Sequence, residues 1–404
     1  MTDATRPATT PGDPWARNIW ALTLIVFVAF VGFQFFSPFL PLYVHELGVP
    51  DARRVALWSG VLAAVTPAIS GVLGPLFGRL ADRYGRKLML IRSLAGFTII
   101  IAAMGLVTSV EQLLLARVLQ GLFAGFTPMA MAVASVSAPR EKVPTAIGMV
   151  QSAQLLSAAV GPAAGGYVAS HFGIRYAFFV TAGMCALALG ALIVLFEEVR
   201  SSGSGASRPL PTRLPLREVF GYPHFAVVLV LLMAAQFVDR GLALLIPLQV
   251  AALPRMHAIA ATSGLIISVA AVAATLSANV VARLSRDISP ARLLMLGLAF
   301  GGPLCAAMAL VHSWPTLLVL RALVGLSLGG AITLAYTLGA NIVPGETRAS
   351  AFGWLALGVQ IGTAASPLVT GVLAAVSLPG AFVAYAAVAL AGAAMLAFGT
   401  RGLR

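Results

Sequence analysis

Apolar residues in this chain do not alternate with polar ones; they run. Twelve stretches of about 18 or more residues, bounded by charges or by proline and glycine clusters, lie at approximately 19–44, 55–78, 88–108, 112–134, 145–169, 175–196, 224–251, 259–282, 291–311, 314–340, 348–373 and 378–399. Each matches the ~20 residues that carry a helix through the hydrocarbon layer of a bilayer. No water reaches the backbone there, so each run is expected to bond its own amides as a helix. The first run continues through Phe39, Leu40 and Tyr43 with no small-residue cleavage pattern, so it is expected to stay as a span and not to be removed as a signal. One long polar stretch, Glu197 to Pro223, holds Ser201-Ser202-Gly203-Ser204-Gly205 and then proline-rich sequence, which is linker composition. It divides the runs six and six. The expected organisation is a tail at 1–18, a six-helix bundle at 19–196, a linker at 197–223, a second six-helix bundle at 224–399 and a tail at 400–404, an all-α integral membrane fold.

Composition removes the soluble alternatives. Of 404 residues, 59% are hydrophobic and 10% are charged, against about 25% charged in an ordinary soluble domain. The mean hydropathy is +0.95, which leaves too little polar surface to cover a water-soluble fold. A net charge of +13 would suggest a nucleic-acid partner only if the basic residues were gathered on one face, and they are dispersed between the runs. With both tails in the cytoplasm, 19 of the Lys and Arg residues fall on that side and four, Arg53, Arg54, Arg175 and Arg255, on the other. That bias orients membrane helices and accounts for the basic charge through the bilayer, with no nucleic acid. Lys is limited to Lys87 and Lys142 against 24 Arg, which hints at a GC-rich bacterial genome; the expected location is a bacterial inner membrane. Cys185 and Cys305 both lie inside runs, so no disulfide framework or cysteine metal site is expected, and no cofactor or metal is called for.

The second half repeats the first. Gly60 falls on Gly264, and Arg117-x-x-x-Gly121-x-x-x-Gly125 on Arg321-x-x-x-Gly325-x-x-x-Gly329, at an offset of 204; Pro139-x-Glu141 falls on Pro344-x-Glu346, Gly148 on Gly353, Pro162 on Pro367 and Gly166 on Gly371 at 205; Pro41 falls on Pro247 at 206. Parallel repeats of this kind belong to transporters that rock two bundles about a midplane site.

Between the second and third runs stands Gly78-Arg79-Leu80-Ala81-Asp82-Arg83-Tyr84-Gly85-Arg86-Lys87. Its glycines permit a tight turn, and Asp82 can pair with the neighbouring Arg residues or with a helix terminus. This resembles the loop signature of the major facilitator superfamily. Together with Arg117-Val118-Leu119-Gln120-Gly121 in the fourth run and Gly161-Pro162-Ala163-Ala164-Gly165-Gly166 in the fifth, the set is similar to the twelve-helix drug:proton antiporters over essentially the whole chain. The resemblance implies that Asp82 caps the start of span eleven and locks the halves together on the cytoplasmic side, with Gly78 and Gly85 shaping the segment and Arg83 and Arg86 in the same charge relay. It places Arg117 near a proton path and gives Gly161-Pro162 the bend of span five. Ser157 stands where the family has glycine, so Ser157, Gly161 and Gly165 are expected to keep a close-contact stripe, with Gly166 beside it. The second copy of the loop signature has decayed to Arg283-Leu284-Ser285-Arg286-Asp287. A basic loop can also be only a topology determinant, and Gly121 and Gly125 can equally be a packing face.

Charges at depth are the most informative residues, since one at the centre of a span costs roughly 2.5–3.5 kcal/mol unless it meets a cavity or a partner. Gln236, Asp239 and Arg240 sit at the middle of span seven, and Gln34, the repeat mate of Arg240, lies near mid-membrane in span one. Asp239 is the expected proton-coupling carboxylate, with Arg240 and Arg117 as its cations; a fixed Asp239–Arg117 or Asp239–Arg240 network that only sets helix packing is the alternative. Arg117 and Arg321 lie one to two turns inside their spans, so snorkelling to the interface is open to both, more so to Arg321. Phe33, Phe36, Phe126, Met129 and Trp354 are the expected apolar wall for a lipophilic cargo, and Gln154, Tyr336 and Gln360 the expected polar contacts, although any of these can face lipid or another helix.

The expected function is proton-coupled export of small lipophilic or amphipathic compounds by a monomer working through alternating access. Transport of a polar metabolite such as a sugar is the alternative on the same scaffold, and a non-transporting sensor or scaffold is a third. The sequence holds no Ser/His/Asp constellation and no Gly-x-x-x-x-Gly-Lys phosphate loop, so neither an enzyme nor an ATP-driven pump is expected.

Overall fold

The computed structural model describes residues 14–197, 221–222, 224–254, 256, 258–343 and 348–399. Among them are twelve helical spans long and apolar enough to cross a membrane, numbered here in chain order: Trp15–Glu46, Ala52–Ala81, Arg86–Leu106, Val110–Ser137, Val143–Phe172, Ile174–Leu195, Phe225–Ala252, Ile259–Leu284, Pro290–Leu310, Trp314–Ile342, Ala351–Val376 and Leu378–Phe398. No strand occurs among the described residues. The shortest spans have 21 residues, about 31 Å of helix, the depth of the hydrocarbon layer. Most of the linker and the outer parts of both tails lie outside the described residues.

Span boundaries are set by local chemistry. Asp51 accepts the amide of Arg53 ahead of span two. Ser109 accepts the amide of Gln112 while the Gln112 side chain accepts that of Thr108, a reciprocal cap on span four. Ser289 accepts the amide of Arg292 ahead of Pro290. Spans five and six are joined by Gly173 alone, at φ 95°, which only glycine adopts without strain.

The structure departs from the sequence reading in two places. The segment from Gly78 to Tyr84 is not a loop: the helix of span two runs from Ala52 to Tyr84, and Gly85, at φ 95°, is the whole connection to the helix that begins at Arg86. Nothing between Arg79 and Tyr84 breaks a helix, so it continues to the first residue that can reverse it. Spans four and ten, read as continuous, are each broken near the middle. Span four stops at Leu122 and restarts at Phe126 after Gly125 at φ 105°; span ten stops at Leu328 and restarts at Ala331. In span four the freed carbonyls of Leu122 and Ala124 each accept from the Arg92 guanidinium at 2.9 Å, which lies over the Phe77 ring at 4.6 Å. For span ten, the positions matching Arg92 are Leu296 and Gly297 of span nine, and neither carries a guanidinium.

The spans form two six-helix bundles related by the internal repeat. One continuous apolar cluster fills the first, built around Leu22, Phe39, Tyr43, Leu94, Ile101 and Phe178. The second bundle has two clusters, one around Phe225, Leu232 and Leu355, the other around Leu245, Ile266 and Phe382. Along span seven the gap between them falls at Gln236, after Ala235 and before Val238. The first bundle is closed at one end by Glu197, which pairs with Arg17 and exchanges hydrogen bonds with Asn18, while Lys87 donates to the carbonyl of Phe196.

Among the described residues the bundles meet at one end only. Call the face where span one begins the near face and its opposite the far face. On the far half, a Cβ on Gly60 of span two would lie 3.0 Å from Gly371 Cα of span eleven, and Arg53 donates to the Ala375 carbonyl at 2.9 Å. Spans five and eight touch there through Gly166 on the Ala260 carbonyl and Gly264 on the Pro162 carbonyl. Two backbone amides cross the same seam: Ala163 donates to Ser268 Oγ and Ala261 to Ser170 Oγ, both at 2.9 Å. On the near half, Gly71, Gly74 and Gly78 of span two, Gly148 of span five and Gly353 of span eleven have nothing within 4 Å of where a Cβ would stand. Among the described residues the bundles are sealed at the far face and parted at the near one.

Candidate functional site

The charges at depth resolve into one ion pair and two lone cations. Arg321, on the first half-helix of span ten, donates from Nη2 to Asp239 Oδ1 of span seven at 3.0 Å. The Arg321 side chain is 6% exposed and that of Asp239 54%. The pair is therefore anchored on its cationic side and open on its anionic side. Neither Arg117 nor Arg240, the expected partners, bonds Asp239. Arg117 is spent within its own bundle: Nε donates to the Leu62 carbonyl at 3.1 Å, Nη1 to Gln120 Oε1 at 2.8 Å, and the guanidinium stands 5.5 Å from the Phe36 ring. Arg240 leaves its helix about 100° from Asp239, is exposed, and makes no ion pair among the described residues. Arg117 and Arg321 are each 5% exposed, so neither snorkels.

The expected lining residues separate into three sets. Phe36, Phe126 and Met129 are buried in the first bundle and do not form a cavity wall. Phe36 stacks on Phe178 at 4.8 Å, and Phe126 joins an edge-to-face group with Phe33, whose own ring meets Phe97 at 5.0 Å. A helix presents aromatics on several faces, and these belong to the face that fills the core. Gln236 is buried, bonded to Thr363 Oγ1 of span eleven at 3.4 Å; Gly362 makes room, since a Cβ there would lie 3.2 Å from Gln236 Cβ. Phe33, Gln34, Gln154, Tyr336 and Trp354 are half-buried and Gln360 is exposed. The Gln34 Cβ packs on Gly161, the Tyr336 ring meets Phe352 at 5.7 Å, and Gln154 Nε2 is buried with no hydrogen-bond partner.

Span five shows small residues on two sides. Ser157 bonds the Phe27 carbonyl at 3.0 Å, Gly161 lies against Val31 and Gln34, and Gly165 against the Phe35 carbonyl, all on span one. Pro162 and Gly166 meet span eight instead. At the near face, Gly78 is exposed and Arg83 lies 5.3 Å from the Tyr84 ring centre, while Arg86 opens span three. The Asp82 side chain, residues 344–347 and the side chains of 348–350 leading into span eleven, where a cap was expected, lie outside the described residues.

Sequence reasoning missed Arg321 as the partner of Asp239, Thr363 as the partner of Gln236, and Arg92 at the break of span four. One signal pointed to the first: the repeat sets Arg321 on Arg117, and a duplicated buried cation needs a partner in each copy. The second copy of the Phe33 position, at the 206-residue offset, is Asp239 itself.

The Major Facilitator Superfamily matches residues 22–310 and again 241–402. The chain is 36% identical over 329 residues to "Multidrug resistance protein MdtG" of Escherichia fergusonii, covering 80% of this chain and 79% of that one. It is 36% identical over 338 residues to the MdtG of Dickeya zeae, covering 82% and 81%. Among solved structures, a bacterial homolog of the human lysosomal transporter Spinster, in an inward-facing and occupied conformation, superposes with a TM-score of 0.76 at 19% identity over 96% of each chain. The nucleoside transporter NupG gives 0.76 at 14% identity over 95% and 99%. Two repeated six-helix bundles, sealed at one face around a midplane ion pair, and a match that spans both halves make this chain a multi-pass membrane transporter of the Major Facilitator Superfamily.

Proposed function

We propose that the protein exports small lipophilic or amphipathic compounds from the cytoplasm in exchange for protons, by alternating access, with Asp239 as the group that carries the proton. The observation that carries this reading is the Asp239–Arg321 pair: a half-exposed carboxylate at mid-span, held by a buried cation. Such a group can hold either a proton or a cationic substrate, and an intramembrane ionisable residue earns its cost through such a role. The names of the MdtG relatives support multidrug export as the physiological direction. The positive-inside count supports a cytoplasmic near face; on this reading the parted near face and sealed far face correspond to the cytoplasm-open state of the cycle. Arg240 then stands beside the carboxylate as an exposed cation, with Phe33, Gln34, Gln154, Tyr336, Trp354 and Gln360 available to a cargo. In the opposite state the Asp82 segment would close the near face while the Pro162 and Gly166 contacts release the far one.

Purified protein in liposomes with an imposed pH gradient tests the reading, using tetraphenylphosphonium as a lipophilic cation beside neutral and anionic compounds. Gradient-driven movement of the lipophilic probe, lost in Asp239→Asn at equal protein level, is the expected result. Full gradient-driven transport by Asp239→Asn would remove Asp239 from the mechanism; movement indifferent to the gradient would remove antiport, and selection of a single polar solute would favour a metabolite transporter.

A further inference from the structure

The repeat backs the two far-face seams differently. On span five, Gly161 and Gly165 lie directly on the backbone of span one, Gly165 against the Phe35 carbonyl. The matching positions on span eleven, at the offset of 205, are Ser366 and Thr370, and the mate of Phe35 on span seven, at 206, is Gly241. Bulk and glycine have traded sides, and the gap is filled by Tyr385 of span twelve. A Cβ on Gly241 would overlap the Tyr385 hydroxyl and Cζ, and the Tyr385 ring centre lies 5.5 Å from that of Phe237. The position matching Tyr385 in the first bundle is Val180.

The hydroxyls behind span eleven form a chain with one direction. Thr370 Oγ1 donates to the Ser366 carbonyl at 2.6 Å, which uses its single proton. Tyr385 therefore donates to Thr370 Oγ1. Ser366 Oγ lies 3.5 Å from the Tyr385 hydroxyl and donates to the Phe237 carbonyl of span seven. Ser366, Thr370 and Tyr385 are each 0% exposed, so water does not compete for these bonds. Pro367 stands inside the bonded stretch and has no amide to give the Thr363 carbonyl, which makes this turn the bending point of span eleven. On its opposite side the same turn bears on span two: a Cβ on Gly60 would lie 2.5 Å from the Pro367 carbonyl oxygen, and one on Gly371 2.7 Å from that of Ala56. Span eleven is thus held by hydroxyls behind and by backbone in front, at the place where it can bend.

We propose that Tyr385 is the positioning residue that holds span eleven against span two in the sealed far face, and that its bond to Thr370 breaks when span eleven bends at Pro367 to open that face. This role rests on the alternating-access reading and is independent of which ion or cargo is carried. Span five, seated backbone on backbone against span one, has no side chain to absorb a shift and is the fixed side of the far face. Span eleven, seated on a bond that can let go, is the releasable one.

Spin labels at Ala52 and Val376, exposed at the far ends of spans two and eleven, and at His171 and Ala258, exposed at the far ends of spans five and eight, report the two seams by distance in the full-length protein in liposomes. Tyr385→Phe keeps the ring and removes the donor. It is expected to raise the ratio of far-open to sealed molecules about fivefold, the worth of one net hydrogen bond, and by the same factor at both label pairs, because one conformational equilibrium moves both seams. A change confined to the Ala52–Val376 pair would mean that Tyr385 only packs span eleven, and overturns the proposal, as do unchanged distances at both pairs. Thr370→Val keeps the shape and removes the acceptor, so it is expected to match Tyr385→Phe, while Thr370→Ser keeps the hydroxyl and the wild-type distribution. If Tyr385→Phe does not reach the membrane, the two Thr370 variants decide: wild-type distances in Thr370→Val, or a Thr370→Ser that behaves like Thr370→Val, overturn the role of the bond. Failure of alternating access shows separately, as a wild type locked at one far-face distance under every gradient and cargo, which would remove the role of Tyr385 with it.

Discussion

Gly264→Ala should open the far face. The added Cβ would fall on the Pro162 carbonyl oxygen, 2.9 Å from Pro162 C and 3.3 Å from Gly166 Cα. Every one of these neighbours is backbone, so no side chain can swing aside. Restoring an ordinary carbon contact of about 3.5 Å requires spans five and eight to separate by about 1 Å. Overpacking of this kind costs typically 1–3 kcal/mol, and alanine returns up to about 1 kcal/mol through its better helix propensity. The net penalty on the sealed state is about 1–2 kcal/mol, a five- to thirty-fold change in the ratio of sealed to open molecules. The loss falls on one conformation, so the protein should remain folded and tip toward the state open at the far face. Distances between labels at His171 and Ala258 measure it, and Cys185 and Cys305, each 0% exposed, stay silent to the labelling reagent. Gly74→Ala, at a position with open space, is the internal control and should leave the distances unchanged. If Gly264→Ala and Gly74→Ala give the same distribution, spans five and eight do not form the seal.

Other expectations follow from the same geometry. Arg92→Leu strands the Leu122 and Ala124 carbonyls at the break of span four and should lower stability by about 2–4 kcal/mol, read as a fall in thermal midpoint in detergent. Arg117→Lys cannot reach both the Leu62 carbonyl and Gln120 with one ammonium; it should cost about 1–3 kcal/mol of stability while leaving the midpoint of any pH profile in place, and a shifted midpoint would return Arg117 to the proton path. Arg53→Ala removes the bond to the Ala375 carbonyl and should favour the far-open state by about 0.5–1.5 kcal/mol, read as a shift toward the longer distance between labels at His171 and Ala258.

The spans were legible because a bilayer leaves a long apolar run one solution, a helix, and because six runs on either side of a Ser/Gly/Pro stretch divide in only one way. The glycine-proline pattern of span five was legible for a related reason: small residues four apart have little use other than close approach. The breaks in spans four and ten were not, since Gly121 and Gly125 read equally as a packing stripe, and only the backbone shows that Gly121 packs on Ile69 while Gly125 adopts φ 105°. Phe36, Phe126 and Met129 were assigned to a cavity because a run apolar on all sides carries no hint of which face turns inward. The Asp239–Arg321 pair joins residues 82 positions apart on helices whose relative rotation the sequence does not state. Adjacency drew attention to Arg240, and a helix sends adjacent side chains in different directions.

The Glu197 contacts carry a consequence for how the chain is made. Residues 17 and 18 are synthesised early and wait, with Lys87, for the polypeptide that follows span six. When Glu197 arrives, Arg17 and Asn18 seize it and Lys87 takes the carbonyl before it. Among the described residues these contacts to Glu197 and Phe196 come from the first half, so the first six helices can become a finished body while the ribosome is still translating the linker. The later bundle then assembles against a partner already in its final shape, and the order of synthesis spares twelve similar helices from choosing among one another all at once.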